Sequence, residues 1–305
     1  MDNVKQHLLL IDGMALLFRS FFATAVRKNF MINSAGVPTN AVQGYIKHVL
    51  TAIEHINPTH TAVCWDMGSV TFRNDLYDGY KANRPEAPVE MRPQFDLAKE
   101  VTTAFGILNI GIVGYEADDC IGTICEQQKS EYEVTVLTGD RDLLQLVDDQ
   151  VNVFILQKGY GNYEKHTKAS FLEEYQLHPR QFIDVKALMG DTSDGYPGVK
   201  GIGEKTAYKL IREHKDIESL LANIEKLAPS VQKKIQADLE MLHLSRTLAE
   251  IKCDVPLEFD ILSSQWRDLL TSSLDIVNEL ELKTVRNYIL QSTWGAKFEL
   301  LESNV

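Results

Sequence analysis

The chain has 305 residues, 44% of them hydrophobic and 24% charged, a composition that supports a proper core and excludes intrinsic disorder. No apolar run approaches the ~20 residues that a membrane span needs, and the polar start from Met1 to His7 leads straight into Leu8-Leu9-Leu10-Ile11, unlike a secretory signal. With 31 Lys and Arg against 43 Asp and Glu the formal charge is −12, which at face value argues against a nucleic-acid partner. Cys64, Cys120, Cys125 and Cys253 form no C-x-x-C pair, so a disulfide framework or zinc site is not expected, and free thiols in a reducing cytoplasm are.

Taken in chain order, short apolar runs alternate with stretches of helical period. The run His7–Ile11 reads as a strand ending in Asp12, and Met14–Ala25 and Val42–His55 read as helices. Thr61–Trp65 reads as a second strand ending in Asp66, followed after a long segment by a helix over Phe95–Phe105. Asn109–Val113 runs through Gly114-Tyr115 to Glu116, Asp118 and Asp119, with a helix over Ala117–Gln128. Glu133–Leu137 leads to Asp140 and Asp142 and a helix over Arg141–Val147, and Val151–Leu156 is the fifth strand. This alternation predicts an α/β fold, a mostly parallel sheet covered by helices on both faces. Past about residue 170 the strand signal stops. Short helices joined by Gly- and Pro-bearing turns run to about 249, and in the tail only Ser273–Tyr288 reads as helix. The expected division is a catalytic α/β part, 1–170, and a helical part, 171–305.

Four strands thus deliver seven carboxylates to the sheet edge where parallel sheets bind ligands. Two charges ~4 Å apart repel by about 4 kcal/mol even at an effective dielectric of 20. Any single strand-end Asp is explained as a helix N-cap, and Asp118-Asp119 as first-turn acids. Capping does not explain doubled acids after two strands, whereas divalent cations do. Oxygen-only ligands suit Mg²⁺ or Mn²⁺ rather than zinc. Two such ions roughly 4 Å apart form the clamp used for in-line phosphodiester displacement, one activating a water and the other stabilising the leaving oxygen.

Between strands two and three, residues 72–84 interleave aromatics with bases, and Pro85, Pro88 and Pro93 follow, so 72–98 reads as a lid or arch. Lys81 and Arg84, three apart, would share a helical face and hold a phosphate, and Tyr80 could stack on an unpaired base; a solvated loop is the plain alternative. From Gly13 to Ile53 there is no Asp or Glu, against about six for even spreading, while Arg19, Arg27, Lys28 and Lys47 make a local positive face. Further on, Pro197-Gly198-Val199-Lys200-Gly201-Ile202-Gly203-Glu204-Lys205-Thr206-Ala207 has the pattern of a helix–hairpin–helix, expected over about 185–212. Gly198, Gly201 and Gly203 permit close backbone approach, and helical N–H groups with Lys205 face a phosphate without reading bases. Asp191 and Asp194 immediately before it bring the acids to nine.

These stretches together resemble the bacterial 5′-nuclease (flap endonuclease) family and are similar to the 5′→3′ exonuclease domain of DNA polymerase I. The matching motifs are L-I-D-G-M-A-L-L-F-R, C-W-D, Y-K-A-N-R, Y-E-A-D-D, T-G-D-R-D-L-L-Q-L and G-D-T-S-D-G-Y-P-G-V-K-G-I-G-E-K-T-A, running from Asp12 to about Ala249. The resemblance implies a PIN-like α/β fold and a two-metal nuclease, monomeric and nucleoid-associated in the cytoplasm. It would cut near 5′ single-strand/duplex junctions in flaps, nicks, 5′ ends and possible RNA–DNA hybrids. It also implies a first metal site of Asp12, Asp66, Glu116, Asp118 and Asp119, and a second of Asp140, Asp142, Asp191 and Asp194, with Asp118 shared. Lys81 and Arg84 match its phosphate-positioning bases, Arg19 a base on the opening helix, and Tyr80 its stacking aromatic. A K⁺ ion held by hairpin carbonyls at Val199 and Ile202 is implied as well. One departure stands out: the family usually carries D-N-I/V-P-G, and this chain has Asp194-Gly195-Tyr196-Pro197-Gly198. Among other classes, a haloacid-dehalogenase-type phosphatase needs D-x-D after strand one, where Met14 stands; a non-catalytic DNA-structure-binding module needs the hairpin but not nine acids.

Overall fold

The computed structural model describes residues 6–25, 28 and 30–303; of the basic stretch named above, Arg27 lies outside them. Six strands form one sheet: β1 (His7–Asp12), β2 (His60–Cys64), β3 (Leu108–Ile110), β4 (Glu133–Thr138), β5 (Val151–Leu156) and β6 (Tyr163–His166). Their order across the sheet is β3-β2-β1-β4-β5-β6, all parallel except the antiparallel β5–β6 pair. The four-residue β6 carries no apolar run, which is why the sequence pattern passes over it.

Alternation along the strands splits the interior in two. Leu8, Leu10, Ala62, Cys64, Val134 and Val136 point to one face and Leu9, Ile11, Val63 and Leu137 to the other, all buried. The second face is covered by α1 (Gly13–Ala25), α2 (Asn40–Ile56) and, beyond the short α3 (Phe72–Leu76), by α4 (Arg92–Ala104). The first face is covered by α5 (Ala117–Gln128), the 3₁₀ turn Arg141–Leu146 and helices that follow the sheet. Those are α6 (Lys168–Tyr175), α7 (Gln181–Met189), α8 (Glu204–His214), α9 (Ile217–Ala222), α10 (Pro229–Ala237) and α11 (Leu239–Ala249).

The tail behaves differently from the expected helical continuation. The predicted helix at 273–288 is two helices, α12 (Thr271–Glu279) and α13 (Lys283–Gln291), broken at Glu281, whose φ of 54° is left-handed. With α14 (Gly295–Ser303) they return to the second face, where Leu274, Val277, Val285, Ile289 and Phe298 are buried among α2 and α4. No helix among the described residues is long and apolar enough to cross a membrane.

Candidate active site

The strand order reverses between β1 and β4, and at such a switch point the loops leaving the two strands diverge and open a crevice. Here the crevice is a cleft of about 1060 Å³. Asp12, Asp66, Glu116, Asp118 and Asp140 are among the residues that line it. Their positions follow from local capping. Asp12 Oδ1 accepts the Ala15 N–H at 2.9 Å at the start of α1, and Asp140 Oδ1 accepts the Asp142 N–H at 2.8 Å at the start of the 3₁₀ turn. Asp66 Oδ1 takes the Ala117 N–H at 2.7 Å, so the end of β2 caps α5. Capping and clustering are therefore not alternatives: the same side chains do both.

Electrostatically the cluster is under-neutralised. Burial, then the charges of Asp66 and Asp140, lifts Asp12 to about 6 against hydrogen bonds from Ala15 and Thr138. Burial, followed by Asp12, Asp140 and Glu116, pushes Asp118 well above the carboxylate range. Burial and the neighbouring Asp140 raise Asp142 to about 7. Among the described residues, the trio with ligand atoms within 4.8 Å of one another is elsewhere, Glu164, His166 and Glu174, where Arg141 already engages both Glu164 oxygens at 2.8–2.9 Å. No such trio forms among the cleft acids of the described residues.

The remaining four acids are held by side-chain cations. Asp119, one position after Asp118, is 0% exposed, receives both guanidinium NH groups of Arg73 at 2.8 Å, and accepts the backbone N–H of Lys252 at 2.9 Å and of Glu116 at 3.1 Å. The structure does not bring Asp119 to the cleft, because successive helical residues point about 100° apart. Its carboxylate instead anchors Arg73, which also donates to the carbonyls of Leu248 and Glu250 and so ties α3 to the end of α11. Asp142 and Asp191 share Lys186, whose Nζ lies 2.7 Å from Asp142 and in close contact with Asp191. Against its burial, Lys186 and Ser193 hold Asp191 down at about 2. Asp194 receives Arg84 at 2.7 Å.

The arch segment departs from its expected geometry. Lys81 and Arg84 share no helix; 77–84 is a series of turns, and Lys81 is left-handed at φ 54°. Both nevertheless reach the acids, Lys81 Nζ lying 2.7 Å from Glu116. Burial alone would lower the Lys81 pKa, but Glu116 and Asp194 hold it above its ordinary value. Tyr80 offers no open face for stacking: it is 3% exposed and its hydroxyl donates to Glu116 at 3.2 Å and Asp194 at 3.3 Å. The aromatic surface of the cleft is instead made by Phe18 and Phe95, which pack edge to face, and Met14, Arg19 and Lys99 line the same cleft. Arg19 is anchored there by the carbonyls of Leu156 and Gln157.

Two model matches decide the family. Residues 7–176 match the 5′-3′ exonuclease, N-terminal resolvase-like domain, and residues 177–271 the 5′-3′ exonuclease, C-terminal SAM fold. The chain belongs to the 5′-3′ exonuclease family. It is 56% identical to a 5′-3′ exonuclease of Bacillus subtilis (strain 168) over 289 residues, covering 95% of this chain and 97% of that protein. It is 41% identical to DNA polymerase I of Lactococcus lactis subsp. cremoris over 84% of this chain, spanning 30% of the polymerase. Its fold is that of the bacteriophage T5 flap endonuclease solved as a pseudo-enzyme-product complex with DNA and metal ions, at TM-score 0.66 and 22% identity over 93% of this chain and 98% of that one. The catalytic core of Rad2 with a DNA substrate is similar at TM-score 0.59 and 15% identity, over 94% and 93% of the two chains.

In this member of the 5′-3′ exonuclease family the hairpin lies between α7 and α8. Val199 and Ile202 are buried anchors, while Gly201, Gly203 and Lys205 face solvent, and nothing lies within 4 Å of where a Cβ on Gly203 would sit. Gly198 is buried, its N–H donating to Ser245 Oγ at 3.2 Å. At the expected potassium position the Val199 carbonyl accepts the Ile202 N–H at 3.0 Å, and the Gly201 carbonyl beside it accepts Lys234 Nζ at 2.8 Å. Four residues that sequence reasoning missed therefore shape the site: Arg73, Lys186, Phe18 and Lys99. Phe18 had a legible signal, since it sits one turn and a half past Asp12 on the opening helix; Arg73 lay within the basic and aromatic segment 72–84 but nothing marked its pairing with Asp119, and the lysines carry no signal.

Proposed function

We propose that the chain is a divalent-metal-dependent 5′ nuclease that hydrolyses DNA phosphodiesters where a 5′ single strand meets duplex, at flaps, nicks and recessed 5′ ends. The observation that carries this is the set of cleft carboxylates with raised pKa values in one cleft with Phe18, Phe95, Arg19 and Lys99. A site of hard oxygen donors that retains protons when bare suits Mg²⁺, with Mn²⁺ as substitute. Asp12, Asp66, Glu116 and Asp118 would hold one ion, with Asp140, which the resemblance put in the second set, beside them in the cleft, and Asp142, Asp191 and Asp194, once released by Lys186 and Arg84, would hold a second. Bound ions would supply a hydroxide-like nucleophile near neutral pH and neutralise charge at the leaving oxygen.

The chain's own residues do the rest. Lys81 and Arg84 stand beside the acids and transfer their charge to the scissile phosphate. Phe18 and Phe95 provide the stacking surface first assigned to Tyr80, worth about 1–3 kcal/mol per base. The hairpin glycines, the open N-terminus of α8 and Lys205 grip a phosphate backbone away from the cleft. A K⁺ ion on the Val199 and Ile202 carbonyls would add to this grip. A 5′-labelled flap duplex incubated with protein and Mg²⁺ should be cut near the junction, and Asp118→Ala should abolish cutting while keeping substrate binding. An uncut flap, beside nicked duplex and RNA–DNA hybrid controls, would show the nuclease reading wrong; the non-catalytic module predicts binding without cutting in both proteins.

A further inference from the structure

The edge strand β6 carries a cluster that the cleft does not use. Glu164 and His166 are two apart on β6, so both side chains leave the same face of the strand. Thr167 then caps α6, its hydroxyl accepting the Ser170 N–H at 3.2 Å, and the helix brings Glu174 back to His166. One ligand atom from each of the three lies within 4.8 Å of the other two.

His166 is 2% exposed, and its two ring nitrogens have different surroundings. Nε2 lies 3.0 Å from Glu164 Oε1. Against its burial, Arg141 and His166 hold Glu164 below the usual carboxylate range, so this carboxylate only accepts and Nε2 is the nitrogen that donates. Nδ1 is left buried with no hydrogen-bond partner, 3.7 Å from Glu174 Oε2. That distance is too long for a hydrogen bond, but an ion ~2.1 Å from each atom spans it at an angle of about 120°. Glu174 is half exposed, with the Tyr175 hydroxyl bonded to it, so water can reach an ion beside it. An imidazole nitrogen with a carboxylate suits a borderline ion such as Zn²⁺ better than Mg²⁺, unlike the all-oxygen acids of the cleft. A carboxylate on the far ring nitrogen is the usual support of a histidine ligand. We propose that His166 Nδ1 and Glu174 form a cation site of the zinc class, with Glu164 orienting the ring and water completing the shell. The site shares no acid with the cleft. Its link to the cleft runs through Glu164 to Arg141, which bonds both Glu164 oxygens and lines the cleft.

Zinc titrated into the protein in excess Mg²⁺, in competition with a chromophoric chelator, reads occupancy without any cleavage assay. The parent should take up one more zinc ion per chain than His166→Gln. Glu174→Gln, changed at a half-exposed position, should bind that ion at least about tenfold more weakly. Zinc should also raise the melting temperature of the parent and not that of Glu174→Gln. Parent uptake equal to that of His166→Gln, or unchanged zinc affinity in Glu174→Gln, overturns the proposal. If His166→Gln does not fold, Glu174→Gln decides alone. Because no cleavage enters these readings, they stand or fall apart from the nuclease reading.

Discussion

Replacing Asp12 by Asn should make the metal-free protein more stable. The amide fits the existing bonds: its oxygen can accept the Ala15 N–H, and its NH₂ can donate to Thr138 Oγ1 where Oδ2 accepted that hydroxyl at 2.7 Å. What it removes is a buried negative charge facing Asp66 and Asp140. Asp12 moves from the ordinary 3.8 to about 6 in the folded protein, so ionising it costs the fold about 3 kcal/mol. A carboxyl with a raised folded pKa binds more protons folded than unfolded, so its cost is absent below about pH 4, grows between 4 and 6, and is complete above 6. For a chain of this length the unfolding entropy is about 0.6 kcal/mol/K, which turns that cost into roughly 4–5 °C. Scanning melts in EDTA at pH 8 should show Asp12→Asn melting higher by that amount, and the gain should vanish at pH 4. Mg²⁺ should raise the wild-type melting temperature and leave the variant little changed. A variant that melts no higher at pH 8, or whose gain persists at pH 4, refutes the view that this cluster stores repulsion for cations to relieve.

Three further outcomes follow from the same geometry. Arg73→Met leaves the fully buried Asp119 unpaired and should destabilise by about 3–5 kcal/mol in denaturant titrations, with Arg73→Met/Asp119→Leu recovering most of it; equal stability of the single variant would show that Asp119 has another neutralising partner. Because Asp12 and Asp142 retain protons to about 6 and 7, Mg²⁺ binding should release protons near pH 6, and its affinity should rise with pH. Calorimetry in buffers of different ionisation enthalpy reads this directly, and a buffer-independent heat contradicts it. Lys205→Ala should weaken duplex binding uniformly across sequences and reduce the slope of log K against log salt by about 1, measured by anisotropy; an unchanged slope would remove Lys205 from the phosphate grip.

The parallel part of the fold was legible because buried parallel strands are continuous apolar runs, and each of the first five runs overlaps a strand. β6, with Glu164 and Lys165 on an edge, carries no such run. The acids were legible as a set but not one by one: Asp118 and Asp119 are chemically identical neighbours, and only the rotation of α5 puts one in the cleft and the other against Arg73. Tyr80 looked like a stacking ring because it sits among bases, whereas its hydroxyl and the acids around it draw the ring inside. Lys186 was invisible because its partners lie on separate segments. The net charge of −12, which first argued against a polyanionic partner, is concentrated in the nine acids of the site region, and the rest of the chain is near neutral.

The return of the last helices to the second face has a kinetic consequence. Thr284 N–H donates to Gln43 Oε1 across 241 residues of sequence, and Thr293 N–H to Glu54 Oε1 across 239. Contacts closing loops of that length are slow to form, and chains of this size fold through partly assembled states. The hairpin and the first-face helices can assemble from local segments, while α2 and α4 wait for α12 and α13. Refolding should therefore pass through a species whose acidic strand ends and hairpin are formed while the flank carrying α2 and α4, with the cleft residues Phe95 and Lys99, is still wet. That flank is where a chaperone would find purchase.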